Sequence, residues 1–177
     1  IRACVDDPQT RALAKAFHPK VIINSSLRDG SLREAARKAK IPILLFEGGE
    51  ALRFDESVIK AGVEGTLSVM KNLGMLPKTK TGKERWEPVF VKDSVWVRAP
   101  SGGSIRAMKM AGDFVEKGET LALVLDLFGK VRIEIKAPEK GVIIGRSRLP
   151  LVNKGDALYH IATAKTLKNA DREYVDF

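Results

Sequence analysis

Apolar positions recur at helical spacing in the opening residues of this chain. Residues 8–17 (PQTRALAKAF) place Leu13, Ala14, Ala16 and Phe17 on one side of a helix that Pro19 ends. The run VIIN (21–24) is short, apolar and β-branched, which predicts a buried strand. In GSLREAARKAK, Ser31 followed by Glu34 has the form of a capping box, so a helix should start there and break at Pro42. IPILLF (41–46) predicts a second buried strand, followed by the turn EGGE. Asp55 then caps a helix reaching about Leu73, with Ile59, Val63, Leu67 and Met70 on one face. Helix, strand, helix, strand, turn, helix is the edge of an α/β layer fold.

The pattern changes after Gly74. Residues 76–86 (LPKTKTGKERW) are polar and basic and read as a linker, and from Glu87 onward short β-type runs alternate with Gly and Pro. This part repeats itself. Ala99-Pro100 through Gly103 to Ile105 matches Ala137-Pro138 through Gly141 to Ile143, and Val115-x-Lys117-Gly118 to Leu121 matches Val152-x-Lys154-Gly155 to Leu158. The offsets are 38 and 37 residues. Two such copies imply two similar β-units, neither able to bury its apolar face alone. Over residues 95–163 the repeat resembles the biotinyl/lipoyl carrier fold, the barrel-sandwich hybrid. The expected organisation is therefore an α/β part over 1–75, a linker and entry strand over 76–94, and a β-sandwich with a C-terminal tail over 95–177.

The tetrapeptide Ala107-Met108-Lys109-Met110 matches the heart of a biotin attachment site. It lies before the first V-x-K-G unit, however, and not on the hairpin between the repeats where carriers hold their lysine. Strand alternation there predicts two buried methionines and one solvated lysine. The hairpin itself is Asp126–Lys130, where Lys130 falls near a carrier position but lacks flanking methionines. A covalent biotin or lipoyl group is disfavoured at either lysine.

Composition narrows the classes. The formal charge is +9, but the basic residues are scattered except for Lys78, Lys80, Lys83 and Arg85, and no aromatics interleave with that cluster. This predicts a solvated basic surface and not a nucleic-acid partner. No apolar run reaches the length of a membrane helix, so no membrane partner is expected. The single cysteine, Cys4, excludes an intrachain disulfide and makes a reducing, cytoplasmic setting the default. The chain opens on Ile1 in sequence that already reads as structured, which suggests a fragment or processed chain.

The chemistry is concentrated in Asp29-Gly-Ser-Leu-Arg33-Glu-Ala-Ala and Ile41-Pro-Ile-Leu-Leu-Phe-Glu47-Gly-Gly49. A carboxylate ending a wholly apolar strand needs compensation, and strand ends are where ligand crevices form in open α/β sheets. Gly48 and Gly49 would let backbone approach a ligand closely. The alternative, that Glu47 caps the next turn or pairs with a lysine, fits the pattern equally.

The string GSLR-EAA, IP-ILLFE-GG-E-ALRFDE, AG-V-G, LG-ML resembles the closing half of the catalytic domain in the succinylglutamate desuccinylase/aspartoacylase family, a branch of the carboxypeptidase A-like zinc hydrolases. The likeness runs from about residue 10 to 163 and includes the appended β-domain. It implies a partial α/β/α zinc-carboxypeptidase-like domain followed by an all-β barrel-sandwich-hybrid-like domain. It also implies zinc-dependent hydrolysis of the amide bond in a small N-acyl amino acid, with Glu47 as the general base on zinc-bound water and Arg33 binding the anionic substrate. Arg28, Arg53 and Tyr174 rank behind Arg33. The family's zinc ligands, an H-x-x-E motif and a later His, would lie upstream of Ile1. His18 and His160 are the chain's two histidines, and neither has a partner at zinc-ligand spacing. His18 reads as a helix-end residue and His160 as a β-domain residue. The rival reading is a non-catalytic binding or carrier module. A homo-oligomer is left open.

Overall fold

The computed structural model describes residues 1–77, 87–130 and 132–163. The basic cluster at 78–85 and Tyr174 lie outside them. The chain falls into two compact units, residues 1–90 and 91–177.

The first unit is mixed α/β. Its elements are β1 (Arg2–Ala3), α1 (Pro8–Phe17), β2 (Val21–Asn24), α2 (Leu32–Lys38), α3 (Glu56–Asn72) and β3 (Val89–Val91), and the sheet runs β1-β2-β3. β1 and β2 are parallel, with Arg2 opposite Ile23 and Ala3 opposite Asn24. The helix starts were legible. Asp7 accepts from the Thr10 side chain and from Thr10 N–H, the latter at 2.6 Å, and these hydrogen bonds hold its carboxyl below the usual range. Asp55 Oδ1 accepts from Ser57 and Val58 N–H at 3.1 and 3.2 Å. At α2, Ser31 Oγ accepts from Glu34 N–H, but Glu34 reaches back one residue further than a capping box, to Gly30 N–H at 2.8 Å. α2 also stops earlier than Pro42: Ala39 is its C-cap, and Lys40 turns into the left-handed region at φ 57°.

Two expectations fail here. Residues 41–46 are not a buried strand. They join the sheet through a single bridge, Leu45 antiparallel to Arg2, with Leu45 37% and Phe46 38% exposed. Pro42 supplies no N–H to a ladder, and one bridge is all the two-residue β1 offers. On α3, the stripe Ile59, Val63 and Leu67 is 42–55% exposed. The face that packs instead is Val58, Gly62 and Gly65: a Cβ on Gly65 would meet the Phe17 ring at 2.5 Å, and one on Gly62 would meet Phe46 at 3.1 Å. The small core joins Ala3, Val5, Ala14 and Ile22, with Ile1, Leu44 and Phe90 against it.

The second unit is all β. After β4 (Asp93–Arg98) come β5 (Gly103–Ala107), β6 (Phe114–Val115), β7 (Thr120–Leu125), β8 (Arg132–Lys136), β9 (Gly141–Arg146), β10 (Leu151–Val152) and β11 (Ala157–Thr163). They form two four-stranded sheets, β10-β5-β7-β8 and β4-β11-β9-β6. The repeat is visible in this order. Replacing β4 by β8, β5 by β9, β6 by β10 and β7 by β11, and the reverse, turns one sheet into the other. Each half thus lends two strands to the other's sheet, β6 beside β9 and β4 beside β11 in one, β10 beside β5 and β8 beside β7 in the other. One core, including Leu121, Val124 and Ile135 from the first sheet and Ile143, Leu158 and Ile161 from the second, fills the space between them.

Candidate functional site

Glu47 lies just past the bridged Leu45, beside the start of β1. Arg2 holds it there. The Arg2 backbone N–H donates to the Leu45 carbonyl at 2.8 Å, the Leu45 N–H donates to the Arg2 carbonyl at 3.0 Å, and Arg2 Nε donates to Glu47 Oε2 at 2.8 Å. The Glu47 side chain is 58% exposed and that of Arg2 23%. An ion pair this open contributes about 0.2–1 kcal/mol to stability, so its main effect is to orient the carboxylate. Behind Glu47 the chain turns onto α3. A Cβ at Gly48 would meet Val58 Cγ1 at 2.7 Å, and Gly49 sits at φ 75°. The glycine pair therefore lets the turn rest against α3, a packing role where the sequence suggested approach to a ligand.

Arg33 is engaged elsewhere. Its Nη1 donates to the Ser25 carbonyl at 3.3 Å, and its Nη2 to Ser25 Oγ at 3.3 Å and the Ser26 carbonyl at 3.4 Å. It pins the β2–α2 loop, at the opposite end of the short sheet from Glu47. The described contacts do not bring the two together. Arg53 pairs with Glu50 at 2.7 Å. Arg2, the residue actually on Glu47, was not singled out from sequence. Its two-residue strand is too short for a periodic signal.

His18 caps α1 in the left-handed region at φ 56°, its N–H donating to the Lys15 carbonyl. His160 is buried on β11, with Nε2 2.8 Å from Ser94 Oγ and its ring stacked 4.0 Å from that of Trp96. Cys4 is half-buried. Among the described residues, no group of three or more His, Cys, Asp or Glu side chains is placed to hold a metal ion. The donors present do not by themselves fit a zinc ion, since the nearest group to Glu47 is a cation.

The AMKM segment reverses its expected faces. Lys109 is ion-paired with Glu119 and 27% exposed, whereas Met108 and Met110 are 55% and 50% exposed. Tyr159 is one anchor of the segment. Burial pushes up the pKa of its hydroxyl, which donates to the Leu121 carbonyl at 2.8 Å and the Lys109 carbonyl at 3.3 Å. That fixes the segment as a turn leaving β5, so strand alternation does not apply. Lys130 is exposed in the β7–β8 turn, which Asp126 holds by accepting the Lys130 N–H at 2.7 Å. Among the described residues no helix is long and apolar enough to cross a membrane.

An α/β unit followed by a β unit built of two interchanged halves defines the fold class. Solved structures share it. An ectoine utilization protein EutE (DoeB) from Ruegeria pomeroyi superposes with a TM-score of 0.79 at 21% identity, over 92% of this chain and 54% of that one. A succinylglutamate desuccinylase/aspartoacylase from Rhodobacter sphaeroides gives 0.72 at 21% identity, over 87% and 49%. An aspartoacylase family protein from Mesorhizobium loti gives 0.65 at 17%, over 89% and 48%. The chain has the fold of these proteins, two of which are described as succinylglutamate desuccinylase/aspartoacylase or aspartoacylase proteins, and spans about half their length. No family sequence model and no curated protein sequence matches it.

Proposed function

We propose that this chain is part of a deacylase that hydrolyses the amide bond of a small N-acyl amino acid. The supporting observation is the presentation of Glu47: a half-exposed carboxylate at the end of an apolar segment, clamped on one oxygen by Arg2, within the fold of desuccinylase/aspartoacylase structures. In this reading Glu47 Oε1 takes a proton from the attacking water. The water oxygen bonds to the amide carbon, the C–N bond breaks, and the same proton passes to the departing amine nitrogen. The zinc implied by the resemblance would need ligands beyond the described residues.

Glu47→Gln in the full-length enzyme tests this. Gln keeps the size and can still accept from Arg2, but cannot take a proton. Turnover should fall ~10²–10⁴-fold with an unchanged melting temperature. Near-wild-type turnover on every N-acyl amino acid tried would leave Glu47 as the partner of Arg2 and nothing more.

A further inference from the structure

The two halves of the β unit match in register but differ at their edges. β6 and β10 are equivalent edge strands. Phe114 and Val115 pair with Val142 and Gly141, and Leu151 and Val152 pair with Ser104 and Gly103. Around β6 the seam is closed by charge. Lys140 Nζ lies 5.2 Å from the Phe114 ring centroid and 3.6 Å from Glu116 Oε1, and Lys117 pairs with Glu139 at 3.5 Å. Lysines on a sheet edge guard it against pairing with other chains. The positions equivalent to Lys140, Glu116, Lys117 and Glu139 are Gly102, Asn153, Lys154 and Ser101. With no carboxylate among them, these four cannot rebuild the ion pairs.

Where the guard is missing there is an open cleft of about 400 Å³, lined by Gly102, Gly103, Asp126, Leu127, Leu151 and Asn153 together with Val152. Leu127 and Leu151 are 85% and 64% exposed, and Phe128 and Leu149, close to them in the chain, are 81% and 70% exposed. We infer that a second copy of this chain docks on this edge, across a two-fold axis, with the Leu127–Phe128 turn of each copy over the cleft of the other. Nothing in this contact depends on the deacylase reading. One chain carries both parts of it, the cleft and the apolar turn, so a two-fold arrangement satisfies both at once. Charge agrees. The chain carries a net +9, which makes copies repel, but the only ionisable residue lining the cleft is Asp126, of the opposite sign. Four apolar side chains from each copy would bury roughly 1,000 Å² in all, the low end for a specific interface. The dimer should accordingly be weak, with Kd on the order of 10–100 µM.

Sedimentation velocity of the 177-residue chain, from about 5 to about 500 µM to bracket that Kd, tests this. The Val63→Lys, Leu67→Lys double variant serves as background, so that the exposed stripe of α3 does not contribute. This chain should pass from monomer to dimer over the range. Leu151→Lys and Phe128→Lys should each raise Kd at least about tenfold, the effect of losing a central apolar contact. Gly102→Lys should do the same by supplying the lysine that guards the other half. A Cβ on Gly102 would meet nothing nearer than the Val152 carbonyl oxygen at 3.5 Å, so the fold accepts it. A chain that stays monomeric throughout, or a dimer whose Kd none of the three substitutions changes, would overturn the inference. In the full-length enzyme Leu151→Lys should also shift the equilibrium toward monomer. No shift there, the result expected if another part of the protein fills the cleft, would overturn it as well.

Discussion

At the scale of single residues, the glycines of the repeat are the best example of a motif with a physical cause. Gly103 and Gly141 occupy equivalent places in the two halves. A Cβ on Gly103 would run into the Leu125 carbonyl oxygen, and one on Gly141 into the Ala162 carbonyl oxygen. Leu125 and Ala162 are themselves repeat-related, 37 residues apart. Each glycine lets its strand close on the neighbouring backbone, so the repeated A-P-x-x-G reads as a steric requirement met twice. Gly103→Ala and Gly141→Ala should each destabilise the β unit by about 1–3 kcal/mol, the usual cost of overpacking against atoms that cannot move aside. Urea unfolding followed by the fluorescence of Trp96 would show it, and a loss below about 0.5 kcal/mol in both, the level of an ordinary surface change, would mean the strands part without cost. Glu47 was equally legible, because a charge ending an apolar run is conspicuous. Its partner was not, because a lone arginine in a two-residue strand carries no pattern. The arginine chosen from sequence, Arg33, is bonded to Ser25 and Ser26.

At the scale of elements, helix starts were readable because capping is local, and α3 shows where such reading stops. Its apolar residues fall on two adjoining stripes. Hydropathy favours Ile59, Val63 and Leu67, yet contact is made by Val58, Gly62 and Gly65, two of which carry no side chain to register. Phe17 and Phe46 fill that space, with their rings 5.2 Å apart. The richer stripe is left in solvent together with Leu52 and Phe54, 104% and 91% exposed. An apolar surface of this kind invites association. The double variant Val63→Lys, Leu67→Lys should bind less of a hydrophobic dye and self-associate less in sedimentation, with stability changed by no more than about 0.5 kcal/mol, as for exposed sites generally. Gly65→Ala should do the opposite, costing about 1–3 kcal/mol by pressing on Phe17 with no gain in solubility. A large stability loss in the double lysine variant would show that the Ile59 stripe is core.

At the scale of the whole molecule, the repeat made the β unit predictable, since two like halves must pair to bury their apolar faces. The interchange of β6 and β10 between the sheets was not readable, because pairing partners depend on contacts far apart in sequence. The α/β part was legible as a class, but its sheet is short and its core thin: the buried cluster there has 4 residues, against 12 in the β unit. Two separate cores of unequal size should melt separately, the α/β unit first, in calorimetry of the 177-residue chain. Gly65→Ala should move only the lower transition and Gly141→Ala only the upper. A single transition shifted alike by both glycine substitutions would show instead that the two units fold as one.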